Sequence, residues 1–239
     1  MTTSAGLIDT HAHLIPDVDD GCATLADSLR CARTMVTAGY EQLFCTPHIW
    51  PNLPHNNIMD IQKAVRLLQS ELDREGIPLK LHAGGELNLT ADLHHTPLAE
   101  LVTYAMGGKF LLMDLWANHV PAFVRPAVRH LQSHGVKVIL AHPERMSAIQ
   151  NDPPCVERFT DLGVLLQGNL QCFGDPPRAA TNRTAERFLA EGRYFMVGSD
   201  LHGPDTIPVR LQGLERLKQL TDRTTFLQLT RDHPAQLLG

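Results

Sequence analysis

The chain has 239 residues, 43% of them hydrophobic and 20% charged, which suffices for the core of one α/β domain spanning residues 1–239. A formal net charge of -5 excludes a general nucleic-acid or acidic-lipid binder, because a run of phosphates has to be met by an extended basic surface. Five cysteines without a Cys-x-x-Cys pair exclude a disulfide framework and a zinc ribbon. Met1–Gly6 lacks the features of a targeting segment, and no apolar run approaches the roughly 18 residues of a membrane span, so a cytoplasmic, non-inserted chain is expected.

Short β-rich runs alternate with amphipathic helical stretches, without a repeat or long linker, as in βα units around a mostly parallel sheet. Leu7–His13 reads as the first strand. A helix opens at Thr24 with Asp27 in a capping-box-like position, shows an apolar face through Leu25, Leu29, Ala32, Met35 and Val36, and stops at Gly39. Leu43–Thr46 is the second strand, a helix through Ile58, Ile61, Val65, Leu68 and Leu72 ends at Gly76, and Leu79–Glu86 is the third strand. Phe110–Leu115 is the fourth, and a helix carrying Val128 and Leu131 ends at Gly135 before the fifth, Val136–Ala141. Asp152 and Pro153 read as N-cap and first-turn proline of a helix carrying Val156, Phe159 and Leu162. Val164–Gln167 and Phe195–Gly198 are the last two strands. Seven strands with intervening helices favour a distorted barrel over a flat doubly wound sheet, and no glycine-rich phosphate loop follows the first strand.

Thirteen histidines against three tyrosines and two tryptophans tilt the composition toward metal, since imidazole is the commonest side-chain ligand. Asp9, His11 and His13 are spaced by two and share one face of an extended strand. His48 ends the second strand, Glu86 the third, Asp114 the fourth, His142 the fifth, and Asp200 with His202 the seventh. These are C-terminal strand ends, where α/β barrels build active sites. Apolar residues lead up to them, and a carboxylate buried there unpaired would be costly, whereas a cation both pairs and ligates it. Imidazole and carboxylate without cysteine suit Mn, Fe or Zn over Ca or Mg, and leave those three open. More than four candidate ligands imply more than one ion, and paired ions serve in-line displacement at phosphorus, so phosphoester hydrolysis is expected. Arg145 follows His142 closely enough to hold non-bridging phosphate oxygens.

Asp9-Thr-His-Ala-His13, Asp19-Asp20-Gly21, Thr46-Pro-His48, Gly85-Glu86, Ala141-His-Pro-Glu-Arg145 and Ser199-Asp-Leu-His202 follow one another in this order. The set resembles the PHP (polymerase and histidinol phosphatase) superfamily, and within it the manganese-dependent protein-tyrosine phosphatases of bacterial capsule and exopolysaccharide operons. The resemblance implies a TIM-like distorted (β/α) barrel of seven strands holding three ions. One would be held by His11, His13, Glu86 and Asp200, and a second by Glu86, Asp114 and His142. The third would be held by His48, His202 and either Asp19 or Asp20, a choice the sequence leaves open. It further implies Arg145 facing the phosphate, a metal-activated water, and a phosphotyrosine protein as substrate, such as the tail of a bacterial tyrosine kinase. Those phosphatases often carry a second histidine after the one matched by His48, and here Ile49-Trp50-Pro51 follows, which opens substrate choice at the rim to change.

Rival readings are weaker. Cys172-Phe-Gly-Asp-Pro-Pro-Arg178 has the Cys-x5-Arg spacing of thiol phosphatases, but Pro176 and Pro177 have no N–H to donate, Asp175 repels an anion, and no Ser or Thr follows Arg178. A sugar- or histidinol-phosphate phosphatase or an amidohydrolase on the same scaffold is the second reading. Amidohydrolases usually bring a carboxylated lysine, and Lys63, Lys80, Lys109, Lys137 and Lys218 miss the strand ends. A non-catalytic metal-binding module would have lost ligands, and none is missing. His55, His94, His95 and His119 fall in loops able to line a pocket. Every motif residue that might donate a proton is assigned to metal, where it stays deprotonated, so aryl esters with a phenolate leaving group are favoured over alkyl esters.

Overall fold

The computed structural model describes residues 6–115 and 117–239; residues 1–5, on which the expected absence of a targeting segment falls, and the side chain of His94 lie outside the described residues. Among the described residues there are nine strands: β1 (Leu7–Ala12), β2 (Tyr40–Cys45), β3 (His48–Ile49), β4 (Lys80–Ala83), β5 (Glu86–Asn88), β6 (Phe110–Asp114), β7 (Lys137–Ala141), β8 (Leu165–Asn169) and β9 (Met196–Gly198). They form two all-parallel ladders, β1-β2-β4 and β3-β5-β6-β7-β8-β9. β3 continues the line of β2, and β5 that of β4, so the ladders together make the seven staves of the expected barrel. The seam between β9 and β1 is closed by a parallel bridge at Ala12 and Leu201. There the His13 N–H donates to the Leu201 carbonyl at 2.8 Å and the Asp200 N–H to the His11 carbonyl at 2.7 Å.

Two expected strands are corrected. The second breaks at Pro47, which has no N–H for the ladder, so His48 opens β3 instead of ending β2. The third breaks at Gly84-Gly85, and Glu86 opens β5. A Cβ at Gly85 would sit 2.7 Å from Val102 Cγ1 and 2.8 Å from Ile49 Cγ1, so only glycine lets these chains pass so closely.

The Thr24 side chain accepts from the Asp27 N–H at the head of α1 (Leu25–Thr37), and Asn57 does the same with Asp60 at the head of α2 (Ile58–Arg74). Gly39 and Gly76 take φ of 99° and 63° after these helices, the left-handed turn that favours glycine. After α3 (Val124–Ser133) and α4 (Ser147–Asn151), the helix expected at Asp152 is replaced by a 3-10 turn, Pro153–Val156, and the short α5 (Glu157–Thr160). Asp152 makes no side-chain cap. Pro153 directly before Pro154 is disfavoured in the α conformation, which accounts for the difference. The outer layer continues with α6 (Leu170–Gly174), α7 (Ala180–Ala190), α8 (Ile207–Leu220) and α9 (Arg223–Leu227).

Along β6, Phe110 and Leu112 pack with Ile8, Phe44, Ile139 and Met196, while the alternate Leu111 and Met113 join the larger core beneath the helices. Asp114 continues the Phe110–Leu112 alternation, so the apolar fill of the barrel ends at a layer of polar side chains at the C-terminal strand ends. Among the described residues no helix is long and apolar enough to cross a membrane.

Candidate metal centre

His11 Nε2 lies 3.2 Å from His13 Nε2 and 3.4 Å from both Glu86 Oε2 and Asp200 Oδ1. His13 Nε2 is 3.5 Å from Glu86 Oε2 and 3.4 Å from Asp200 Oδ1. All four side chains are buried, and Glu86 Oε2 and Asp200 Oδ1 have no hydrogen-bond partner. Neighbouring donors on one ion, about 90–110° apart with bonds of about 2.2 Å, stand about 3.1–3.6 Å from each other. The set therefore fits a cation: both buried carboxylate oxygens lack a hydrogen bond, Glu86 Oε2 having only the ion-pair contact of His48 Nδ1 at 2.8 Å besides the His11 and His13 rings, and a cation would pair and ligate both.

The imidazoles are held from behind. The His11 Nδ1 meets Gln167 Oε1 at 3.0 Å, the His13 Nδ1 meets Asp19 Oδ2 at 2.7 Å, and the His202 Nδ1 meets the Asp200 carbonyl at 2.9 Å. Each acceptor is an oxygen that cannot donate, so Nδ1 carries the proton and Nε2 keeps its lone pair. Around Glu86 the second group forms: Oε1 is 2.9 Å from His142 Nε2, and Asp114 Oδ1 lies 3.9 Å from His142 Nδ1. A third gathers His13, His48, His202 and Asp20, with Asp20 Oδ1 3.3 Å from His48 Nε2 and 3.4 Å from His202 Nε2. The two neighbouring aspartates part here. Asp20 is largely exposed and faces the imidazoles, whereas Asp19 is tucked beneath, accepting also from the His48 and Gly21 N–H groups at 3.0 Å.

The backbone pays for this aim. His142 and Asp200 have φ of 35° and 53°, strained for non-glycine residues by about 1–3 kcal/mol each. The Asp200 turn is secured by Arg210, buried beneath it, whose Nη2 donates to the Asp200 carbonyl at 2.9 Å. A Cβ at Gly21 would overlap the carbonyl oxygen and Cβ of His13, which explains the glycine after the aspartate pair.

Burial alone would raise Glu86 and Asp200, yet both carboxyls are held well below their ordinary range by surrounding imidazoles, His11, His142 and His48 for Glu86 and His11, His13 and His142 for Asp200. Burial pulls His142 down, but the Glu86 hydrogen bond and the charges of Asp114, Glu86 and Asp200 push it up to about 9. Asp114 is raised by burial. The buried carboxylates thus demand positive charge, which a bound cation would supply.

The structure brings His11, His13, Asp20, His48, Glu86, Asp114, His142, Asp200 and His202 together around one cleft of about 520 Å³, with Asp19 directly behind. Arg145 lines the same cleft from the 3-10 turn Pro143–Arg145, its Nη1 tied to Asp200 Oδ2 at 2.7 Å, and Leu115, Ala117 and Met146 supply apolar wall. Trp50 stacks on the His48 ring with centroids 4.2 Å apart. His55 lies instead on a separate groove with Asn52 and Lys63, and His95 and His119 are exposed and not part of the cleft wall.

Sequence reading missed the supports. Asp9 accepts from the Ser199 N–H at 2.9 Å and from the Ser199 hydroxyl, pinning β1 to the Asp200 turn. Asn169 donates to Asp200 Oδ2 at 2.7 Å, and Glu144, fully buried, accepts from the Asn169 N–H at 2.5 Å and the Tyr194 hydroxyl at 3.0 Å. Their signal was present in the polar Gln167-Gly168-Asn169 that ends an apolar strand.

Comparison with known proteins matches residues 7–239 to a family of capsular polysaccharide synthesis proteins, CpsB/CapC. The tyrosine-protein phosphatase YwqE of Bacillus subtilis is 28% identical over 204 residues, 84% of this chain and 79% of that protein. The tyrosine-protein phosphatase CpsB of Streptococcus agalactiae is 26% identical over 208 residues, 84% and 85% of the two chains. A chain from the crystal structures of YwqE from Bacillus subtilis and CpsB from Streptococcus pneumoniae, described there as unique metal-dependent tyrosine phosphatases, superposes with a TM-score of 0.87. It is 24% identical, with 97% of this chain and 94% of that one covered. Dihydropyrimidinase from Brevibacillus agri shares only the scaffold, at TM-score 0.57 and 11% identity over 98% of this chain and 71% of its own. By the match across nearly its whole length, the chain belongs to the CpsB/CapC family.

Proposed function

We propose that this chain is a metal-dependent protein-tyrosine phosphatase, and the observation that carries the reading is the pair of buried carboxylate oxygens without a hydrogen bond, Glu86 Oε2 and Asp200 Oδ1, facing the Nε2 atoms of His11 and His13. The relatives named above as tyrosine-protein phosphatases point the same way. Three ions, manganese by preference, would be held by His11, His13, Glu86 and Asp200, by Glu86, Asp114 and His142, and by His48, His202 and Asp20. Asp19 then serves as the acceptor that orients His13. Such ions supply an activated water and neutralise charge on phosphate oxygens.

The chain's own residues do the rest. Arg145 holds non-bridging oxygens with its guanidinium, steadied by Asp200. Among the described residues lining the cleft, each titratable side chain other than Arg145 belongs to the candidate ligand set, and none is a lysine. No free acid therefore stands ready to protonate a leaving alkoxide, whereas a phenolate, with a conjugate acid of pKa about 10, departs without one. The substrate is then a phosphotyrosine segment, such as the tail of a bacterial tyrosine kinase in the cytoplasm, with Leu115, Ala117 and Met146 offering apolar contact to its ring. The test compares kcat/KM on phosphotyrosine peptide, phosphoserine peptide, histidinol phosphate and hexose phosphates at one metal loading. The phosphotyrosine peptide should lead clearly, and a lead for any alkyl phosphate would replace this reading with a small-molecule phosphatase.

A further inference from the structure

β8 differs from its neighbours. The ends of β1, β6 and β7, the starts of β3 and β5, and the turn after β9 each carry a candidate ligand, but β8 ends in two amides, Gln167 and Asn169. Neither amide oxygen is offered to the cluster. Gln167 Oε1 accepts from His11 Nδ1 at 3.0 Å, and Asn169 Oδ1 accepts from the Gln171 N–H at 2.8 Å. Both residues are fully buried, so these bonds do not compete with water.

We propose that Gln167 and Asn169 are positioning residues of the metal centre: Gln167 fixes the His11 tautomer that presents Nε2, and Asn169 fixes Asp200 so that Oδ1 alone is presented. The Gln167 side-chain N–H donates to the Gly168 carbonyl at 2.7 Å, which turns the amide oxygen, an acceptor only, toward His11. Nδ1 of a neutral His11 must then carry the proton, which leaves the Nε2 lone pair facing His13, Glu86 and Asp200. On the other side, Asn169 Nδ2 and Arg145 Nη1 each lie 2.7 Å from Asp200 Oδ2, and two donors on that oxygen leave Oδ1 as the one turned to His11 and His13. Asn169 is itself anchored by Glu144 through its backbone N–H. A neutral amide on His11, where His13 has the carboxylate of Asp19, adds no further negative charge to a crowded anionic site.

This inference rests on the metal-centre reading, and the experiment separates the two. Manganese binding to chelator-stripped protein is followed by the loss of the free-ion paramagnetic signal, in the wild type and in Glu86→Gln, Gln167→Met, Gln167→Glu and Asn169→Asp. Expected is a loss of affinity of about 10–100-fold in Gln167→Met, restored in Gln167→Glu, which regains an acceptor for Nδ1–H. Asn169→Asp keeps the acceptor for Gln171 but sets an oxygen against Asp200, and should lose affinity even if Gln167→Met fails to fold. In zinc-loaded wild type, nitrogen-15 spectra should show the His11 proton on Nδ1. Wild-type affinity in both Gln167→Met and Asn169→Asp, or a His11 proton on Nε2, overturns the positioning role while Glu86→Gln still marks the centre. Equal and weak binding by the wild type and Glu86→Gln overturns the centre itself.

Discussion

Glu86, which opens β5, and Cys172, in the short helix α6 after β8, are both buried acids, and their surroundings drive them in opposite directions. Burial pushes the Cys172 thiol well above its ordinary range, and the nearby charges of Glu144 and Asp175 push it further. Burial acts on Glu86 in the same sense, but three imidazoles outweigh it. Nor does the loop after Cys172 form an anion cradle: the Asp175 N–H donates back to Gln171, the Ala179 N–H to Pro176, and Pro176 and Pro177 have none. Arg178 belongs to a different groove, beside Asp175, Glu186 and Glu215. A buried acid can act as an anion only where the fold brings opposite charge to it, and sequence spacing alone carries no such information.

The contrast breaks most visibly if Glu86 is dispensable. Glu86→Gln keeps the shape and removes the charge that touches His11, His48 and His142. Turnover of phosphotyrosine peptide should fall roughly a thousandfold with reduced metal content, because ions held there would supply several kcal/mol of transition-state stabilisation. Chelation should do the same and manganese should reverse it, while His130→Ala, on α3, changes neither. Full activity in verified metal-free protein would sink the metal mechanism. Next in size is Arg145→Ala, with a loss of about a hundredfold in kcat as one preorganised donor goes. Asn169 still holds Asp200 Oδ2, so metal content measured beside kcat should stay at the wild-type level.

The sequence made the candidate ligands legible for a physical reason. Asp114 and His142 each follow a run of buried apolar residues, and a charged or metal-binding type there has few uses other than a site. The seven staves were legible for the same reason, since the apolar runs are set by burial on both faces. The breaks at Pro47 and Gly84-Gly85 were harder, because continuity of a stave and continuity of its ladder look alike in a hydrophobic pattern. Which of Asp19 and Asp20 faces the imidazole cluster depends on which way adjacent residues turn, and that shows only in their contacts to His13 and His48. Gln167 and Asn169 stood out only as polar residues ending an apolar strand; an amide has no fixed partner type, so the sequence did not say that they hold His11 and Asp200.

The smallest effect tests the other side of the contrast. Cys172→Ala should leave kcat unchanged, since the thiol is buried and protonated, and should cost about 1 kcal/mol of stability for the lost packing. Its sharper signature lies in alkali. The thiol of the unfolded chain ionises near pH 8.5, while the folded chain keeps the proton, so above that pH the unfolded state binds fewer protons than the native state. Stability must therefore fall as pH rises, by up to about 1.4 kcal/mol per pH unit for each such group. Cys45, also raised by burial, adds to the same slope, and Tyr104 and Tyr194 join only as the unfolded tyrosines begin to ionise near pH 10. Removing Cys172 should take up to one proton's share out of the slope between pH 8.5 and 10, so that the stability curves of variant and wild type approach each other and cross at about pH 9. Urea midpoints of the two reduced proteins across that interval measure it. Parallel curves would mean that Cys172 ionises within the fold as easily as outside it, and a loss of turnover in the folded, metal-loaded variant would return the thiol to the chemistry.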